Sequence, residues 1–136
     1  MARVEERAPA TFTDTVDIQG KLTSKLRNET FGTAVVAAGS GQGDAGAITI
    51  DGGIIAVTGG DGSKGAVLPA VSGLAVGDRV KIINFAGATL EVYPATDDRI
   101  YPAADNGGIT VAAYGFLEVI VYDSTGWVGN EGVIGA

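Results

Sequence analysis

A chain of 136 residues with 16 acidic against nine basic side chains, and so a net charge of -7, has the size of one domain and enough length to bury a core without covalent staples. It contains no cysteine and no histidine, which removes disulfides, thiolate chemistry, the commonest neutral-pH general base and the commonest zinc ligand. No segment approaches the ~20 apolar residues a membrane-spanning helix needs, and the charged start Met1–Arg7 has no apolar run of the signal-peptide kind, so synthesis in the cytosol is expected.

The charge is unevenly placed. Residues 1–30 carry five basic and five acidic side chains, whereas the remainder carries four basic against eleven acidic and holds the whole net charge. An acidic body without a basic stripe argues against nucleic acid as a partner.

In chain order, residues 1–11 are polar with no apolar period and read as an arm without structure of its own. From Phe12 the pattern changes: Phe12, Val16 and Ile18 share one parity, with Asp14 as the defect, and Thr13, Thr15 and Asp17 share the other. That is the alternation of a half-buried strand. Gly20-Lys21 would turn the chain into a weaker strand through Leu22, Ser24 and Leu26, with a helix over Lys21–Glu29 as the competing reading, because Leu22 and Leu26 are four apart. Phe12, Val16, Ile18, Leu22 and Leu26 are therefore the candidate partner-binding residues. The division expected is an N-terminal arm over 1–32 that makes partner contact and a β-body over 33–136.

Thr33–Ala38 is a short apolar run that leads into a Gly-rich region from Gly39 to Gly65. Within it Ala47–Ile50 and Ile54–Thr58 flank Asp51-Gly52-Gly53, which predicts a hairpin. The segment from Ala66 to Val128 organises the rest. Runs over Asp78–Asn84, Thr89–Pro94, Arg99–Pro102, Ile109–Val111 and Gly115–Tyr122 alternate with turn residues, the signature of successive short antiparallel strands. Asn84–Ala88 has hairpin length, and Pro94 and Pro102 mark strand ends. The strand ending at Tyr122 has Leu117, Val119 and Val121 on one face and Glu118, Ile120 and Tyr122 on the other, so its second face is expected to be partly covered. The fold class expected is all-β: a β-sandwich or jelly-roll-like antiparallel domain with an extended N-terminal arm.

Three motifs invite chemistry. Gly41–Gly46 spells G-x-G-x-x-G, but a dinucleotide site needs a helix directly after the glycines and the sequence there reads as a strand. Asp97, Asp98, Asp105 and Asp123 sit in sequences that already read as turns, where Asp caps local backbone groups, and no calcium-loop spacing is present. Trp127 with the tyrosines offers a sugar-stacking platform; the plainer reading places Trp127 at the close of the final hairpin, against the sheet edge. Catalytic, cofactor-binding and metal-binding residues are accordingly all read as none.

The succession Leu68-Pro69, Gly77–Asn84, Leu90–Pro94, Asp98–Ile100 and the strand ending near Trp127 resembles the β-rich region of tailed-bacteriophage virion proteins, capsid decoration (cement) proteins among them, over about residues 66–130. The resemblance implies a non-enzymatic virion protein bound to the major capsid protein on the capsid surface, assembled in the host cytoplasm, homotrimeric, anchored by its N-terminal segment, and without cofactor, nucleic acid or membrane as partner. The runner-up it leaves is a head or tail fibre module that contacts host glycan, and a small β-sandwich enzyme is the least favoured reading.

Overall fold

β-Branched and aromatic runs punctuated by glycine, aspartate and proline give strands wherever one face can be buried. A computed structural model describes residues 29–133, and ten strands lie within them: β1 (Val35–Val36), β2 (Gly46–Ala47), β3 (Ile54–Thr58), β4 (Gly65–Val67), β5 (Arg79–Asn84), β6 (Leu90–Tyr93), β7 (Arg99–Tyr101), β8 (Ile109–Val111), β9 (Gly115–Asp123) and β10 (Gly126–Val133). The described residues contain no α-helix, only short 3-10 turns at Gln42–Asp44 and Val71–Gly73. Pro94 and Pro102 directly follow the last residues of β6 and β7.

The strands form a six-stranded sheet in the order β1-β3-β5-β9-β10-β7 and a four-stranded sheet in the order β2-β4-β6-β8. From β1 to β8 the chain changes sheet at every connection, and from β1 to β6 each return lands one strand over in the same direction. Val57 of β3 therefore pairs in parallel with Val35 of β1, Ile54 with Lys81 of β5, and Gly65 of β4 with Glu91 of β6. The long β9 breaks the pattern: it inserts antiparallel between β5 and β10, and β7 joins β10 in parallel on the far side.

Five of the eight strand pairings are parallel, which corrects the expectation of an antiparallel sandwich or jelly roll. Two expected hairpins are corrected with it. Asp51-Gly52-Gly53 and Asn84–Ala88 both carry the chain from one sheet to the other. The physical reason at Asp51 is non-local. Its carboxylate accepts hydrogen bonds from Thr33 N and Thr33 Oγ1. Gly52 lets two backbones touch, since a Cβ there would stand 2.4 Å from Gly32 N. Thr30 and Gly32 in turn bond to Ile54, so residues 30–32 line the edge of the six-stranded sheet.

One core lies between the sheets. Ile55, Val57, Val80, Ile82, Ile100, Leu117, Val119 and Trp127 come from the larger sheet, and Ala66, Leu90, Val92 and Val111 from the smaller; each is buried. Trp127 lies inside this core, with β9 on one side and β7 on the other. That corrects its placement at a sheet edge and removes it from any sugar-stacking platform.

Candidate assembly surfaces

Since Leu117, Val119 and Val121 point into the core, the two-residue period of β9 sends Phe116, Glu118, Ile120 and Tyr122 to the outer face of the six-stranded sheet. The register extends each into a row. Ile120 stands beside Arg79 and Val128, and Val128 beside Tyr101; Glu118 stands between Lys81 and Asn130; Phe116 stands between Ile83 and Gly132. Two apolar bands thus flank a central charged row. Tyr101 and Tyr122 meet edge to face at 5.5 Å, and the Tyr101 hydroxyl donates to Asp123 Oδ2 at 3.1 Å. The Lys81 ammonium lies 4.7 Å from the centre of the Phe116 ring, and Arg79 reaches Glu118 at 3.9 Å. Tyr122 remains 61% exposed and Val128 41%. A sheet face that ends in water normally alternates toward polar side chains; contiguous apolar bands of this kind mark interaction surfaces.

At one end of this face a buried polar residue builds an aromatic cleft. Asn84, the last residue of β5, has no solvent exposure. Its amide NH2 donates to Ala88 O at 2.8 Å and Ala112 O at 3.0 Å, and its Oδ1 accepts from Ala86 N at 3.0 Å. One side chain therefore pins the β5–β6 connection to the β8–β9 connection. The pinned loops present Phe85, 50% exposed, and Tyr114, 58% exposed, around a cleft of about 130 Å³ that Ile83 and Asn84 complete. Tyr114 takes a left-handed backbone conformation, φ 55°, which costs a side-chain-bearing residue roughly 1–2 kcal/mol. A strained residue that holds an aromatic ring out into water is a functional signal.

At the opposite side of the sheet, β10 outruns its neighbour. β7 pairs only with Gly126, Trp127 and Val128, whereas β9 continues to Val133. From Gly129 onward β10 has no neighbour on its β7 side among the described strands. Beside that open edge lies a cavity of about 50 Å³ lined by Tyr101, Pro102, Ile109, Leu117, Gly129 and Glu131.

The motifs singled out in the sequence serve local structure. Gly41–Gly46 forms the 3-10 turn at Gln42–Asp44 and then β2, with Asp44 Oδ1 accepting from Ser40 N and Gly41 N, so no helix N-terminus faces the glycines. Asp98 is buried and accepts from Val71 N at 2.9 Å. Asp105 pairs with Arg99, and Asn106 Oδ1 receives Asp97 N and Gln42 Nε2. Hydrogen bonds from Thr125 N, the Thr125 hydroxyl and Tyr101 hold Asp123 below the usual carboxylate range. Lys64 and Ser63 do the same for Asp61, and the Thr33 hydroxyl and N–H for Asp51. Among the described residues no three of His, Cys, Asp and Glu gather in a group that would hold a metal. Phe12, Val16, Ile18, Leu22 and Leu26 lie outside the described residues.

Sequence reasoning missed Asn84, Phe85 and Tyr114 as a unit. The one local signal was a lone asparagine closing an apolar run; its partners lie as far as 28 residues on. No family model matches the chain, and no curated protein matches it.

Proposed function

We propose that this chain is a non-catalytic structural subunit of a tailed-phage virion, a capsid decoration (cement) protein that seats on the shell of the major capsid protein, associates with its own kind as a homotrimer, and uses its N-terminal arm in assembly. The observation that carries the reading is the outer face of the six-stranded sheet, where Tyr122 and Val128, beside Tyr101, leave apolar surface in water next to a charged row. Burying such a surface against protein yields about 25 cal/mol for each Å² removed from water, and the central Lys81–Glu118 row supplies register. The candidate arm residues Phe12, Val16, Ile18, Leu22 and Leu26 fit an extended segment that binds through its backbone and alternate side chains. The acidic remainder keeps the particle surface solvated and disfavours nucleic acid.

A second reading, a fibre or tail module that meets host glycan, draws on the exposed Phe85 and Tyr114 rings. One experiment separates the two: the purified full chain is mixed with empty phage heads and, separately, with host cells, while light scattering reports its mass. Saturable binding to heads by an oligomer supports decoration; binding to cells alone refutes it in favour of the fibre module.

A further inference from the structure

We propose that the open edge of β10, from Gly129 to Glu131, is a strand-acceptor site filled by the Phe12–Ile18 segment of a second copy of this chain. The inference rests on the assembly reading above and names the partner of the arm.

The geometry of the edge follows from hydrogen-bond parity. Arg99 N of β7 donates to Thr125 O, which turns the backbone groups of the odd-numbered residues of β10 toward β7. On β9, Val121 N donates to Asp78 O toward β5, which leaves the even-numbered residues of β9 to bond β10. Ile120 is accordingly partnered by Val128, and Glu118 by Asn130. The two-residue period then carries the β7-facing direction on to Gly129 and Glu131, where β7 has ended. Among the described residues their N–H and C=O groups have no partner, and such a short open ladder is the feature that templates strand addition. Neither proline nor lysine blocks it. The 50 Å³ cavity lined by Tyr101, Ile109 and Leu117 lies directly inside this edge, where a side chain of an added strand would point. Main-chain bonds with a pocket for alternate side chains are the two components of recognition by β-augmentation.

The occupant follows from the chain outside the described residues. Twenty-eight residues precede Glu29. Within them Phe12, Val16 and Ile18 alternate with Thr13, Thr15 and Asp17, so one edge-on strand offers an apolar row to a cavity and a polar row to water. The described chain begins at the β1–β3 edge of the six-stranded sheet, where Glu29 lies against Gly53 and Thr30 bonds Ile54. The acceptor edge is at the other end of the same sheet. Each copy would thus give a strand from one edge and receive one at the opposite edge. That is a head-to-tail contact of the kind that closes into a ring.

The natural chain has no cysteine, so engineered thiols report alone. Phe12→Cys, Val16→Cys and Ile18→Cys proteins are each mixed with Glu131→Cys protein and oxidised. The expected result is a linked pair at twice the 13.6 kDa chain mass in at least one mixture and in neither of its two proteins oxidised alone. In parallel, Glu131→Pro removes an N–H that β9 does not use, a substitution an edge position accepts. It should give a monomer by light scattering with unchanged circular dichroism. Should that variant fail to fold, replacement of Phe12, Val16 and Ile18 together by Asp, all outside the described residues, should give the same monomer. No link in any mixture overturns the proposal. So does a link that forms only within a doubly substituted chain under excess cysteine-free protein, or an oligomer that survives both sets of variants. Failure here with head binding intact leaves the virion reading standing, and a link between copies that never bind heads sinks that reading and not this one.

Discussion

Asn84 offers the sharpest test of how the exposed aromatic cleft is held. Replacing it by Ala deletes two donated hydrogen bonds and one accepted bond at a site with no solvent exposure. At about 1 kcal/mol net for each bond, the loss is about 3 kcal/mol. With about 4 °C per kcal/mol for a domain of this size, Tm falls by about 12 °C. Asn84→Asp keeps the shape and the acceptor for Ala86 N, but it turns an oxygen toward Ala88 O and Ala112 O. Burial and two facing carbonyl oxygens disfavour the anion, so the introduced carboxyl has a folded-state pKa above its unfolded value near ~3.9. A group raised in this way keeps its full contribution below the unfolded pKa and loses it as pH rises through the folded pKa, at about 1.4 kcal/mol for each unit of the raise. The assay is urea unfolding of the natural protein and both variants from pH 4 to pH 7, with the Asp variant compared with the Ala variant at each pH. The Asp variant should lose stability relative to the Ala variant as pH rises from 4 toward 7. A gap that stays flat, or an Ala variant within about 1 kcal/mol of the natural protein, refutes the role given to Asn84.

Val119→Asp places an unpaired carboxylate at a fully buried position of β9 between Val80 and Gly129. The cost is several kcal/mol, on the order of the stability of a whole domain, and the variant should be unfolded or insoluble; an unchanged melting temperature rules out the strand's central place. Asp51, Asp61 and Asp123 all titrate below the ordinary value of 3.8 in the folded protein. Groups depressed in this way stabilise fully above the unfolded pKa and lose that contribution as pH falls through their folded values. Melting temperature should hold from pH 6 to pH 5 and drop below about pH 4, and Thr33→Ala should shrink that drop because it removes the hydroxyl partner of Asp51; an undiminished drop counts against the bond. At Tyr114, the left-handed backbone favours glycine, so Tyr114→Gly should be more stable than Tyr114→Ala by about 1 kcal/mol. Equal urea midpoints for the two variants exclude the strain.

Strand positions and their inward faces were legible from Asp78 to Tyr122 because both depend on neighbours in sequence, whereas the strand expected at Ala47–Ile50 is only the two-residue β2, Gly46–Ala47. The alternation Leu117, Val119, Val121 against Glu118, Ile120, Tyr122 matches the burial of β9 residue by residue, and the prolines stop β6 and β7 where the sequence puts the ends. Apart from the final hairpin, where β10 folds back antiparallel on β9 at Trp127 as expected, strand partners were not legible, because alternation says which way a side chain faces and nothing about which strand lies alongside. Asp51-Gly52-Gly53 has the letters of a tight hairpin. Thr33 captures the Asp51 carboxylate and the Gly32 backbone presses on Gly52, and those residues lie 18 and 20 positions away. The cleft was hidden for the same reason: Asn84 acts through Ala112, and the conformation of Tyr114 is set by its bond to Ala86. The open edge of β10 depends on a difference in length between β7 and β10, which no local pattern encodes.

Charge in the body is segregated into the connections, which suits the proposed packing of its sheets against partners. In the body, Asp44, Asp51, Asp61, Asp78, Asp97, Asp98 and Asp105 all lie in connections, Asp123 is the last residue of β9, and only Glu91, Glu118 and Glu131 stand within strands. A carboxylate carried into an interface without a partner costs several kcal/mol, so strands that hold few of them can be covered at little electrostatic cost. Glu91 has the Thr110 hydroxyl, and Glu118 has Arg79 and the neighbouring Lys81. The acids at the strand ends repel other copies that approach end-on and leave the faces and the β10 edge as the low-cost approaches. The acidic charge of the body thus sits mostly in the connections and leaves the strand faces with few carboxylates, as the proposed packing of its sheets against partners requires.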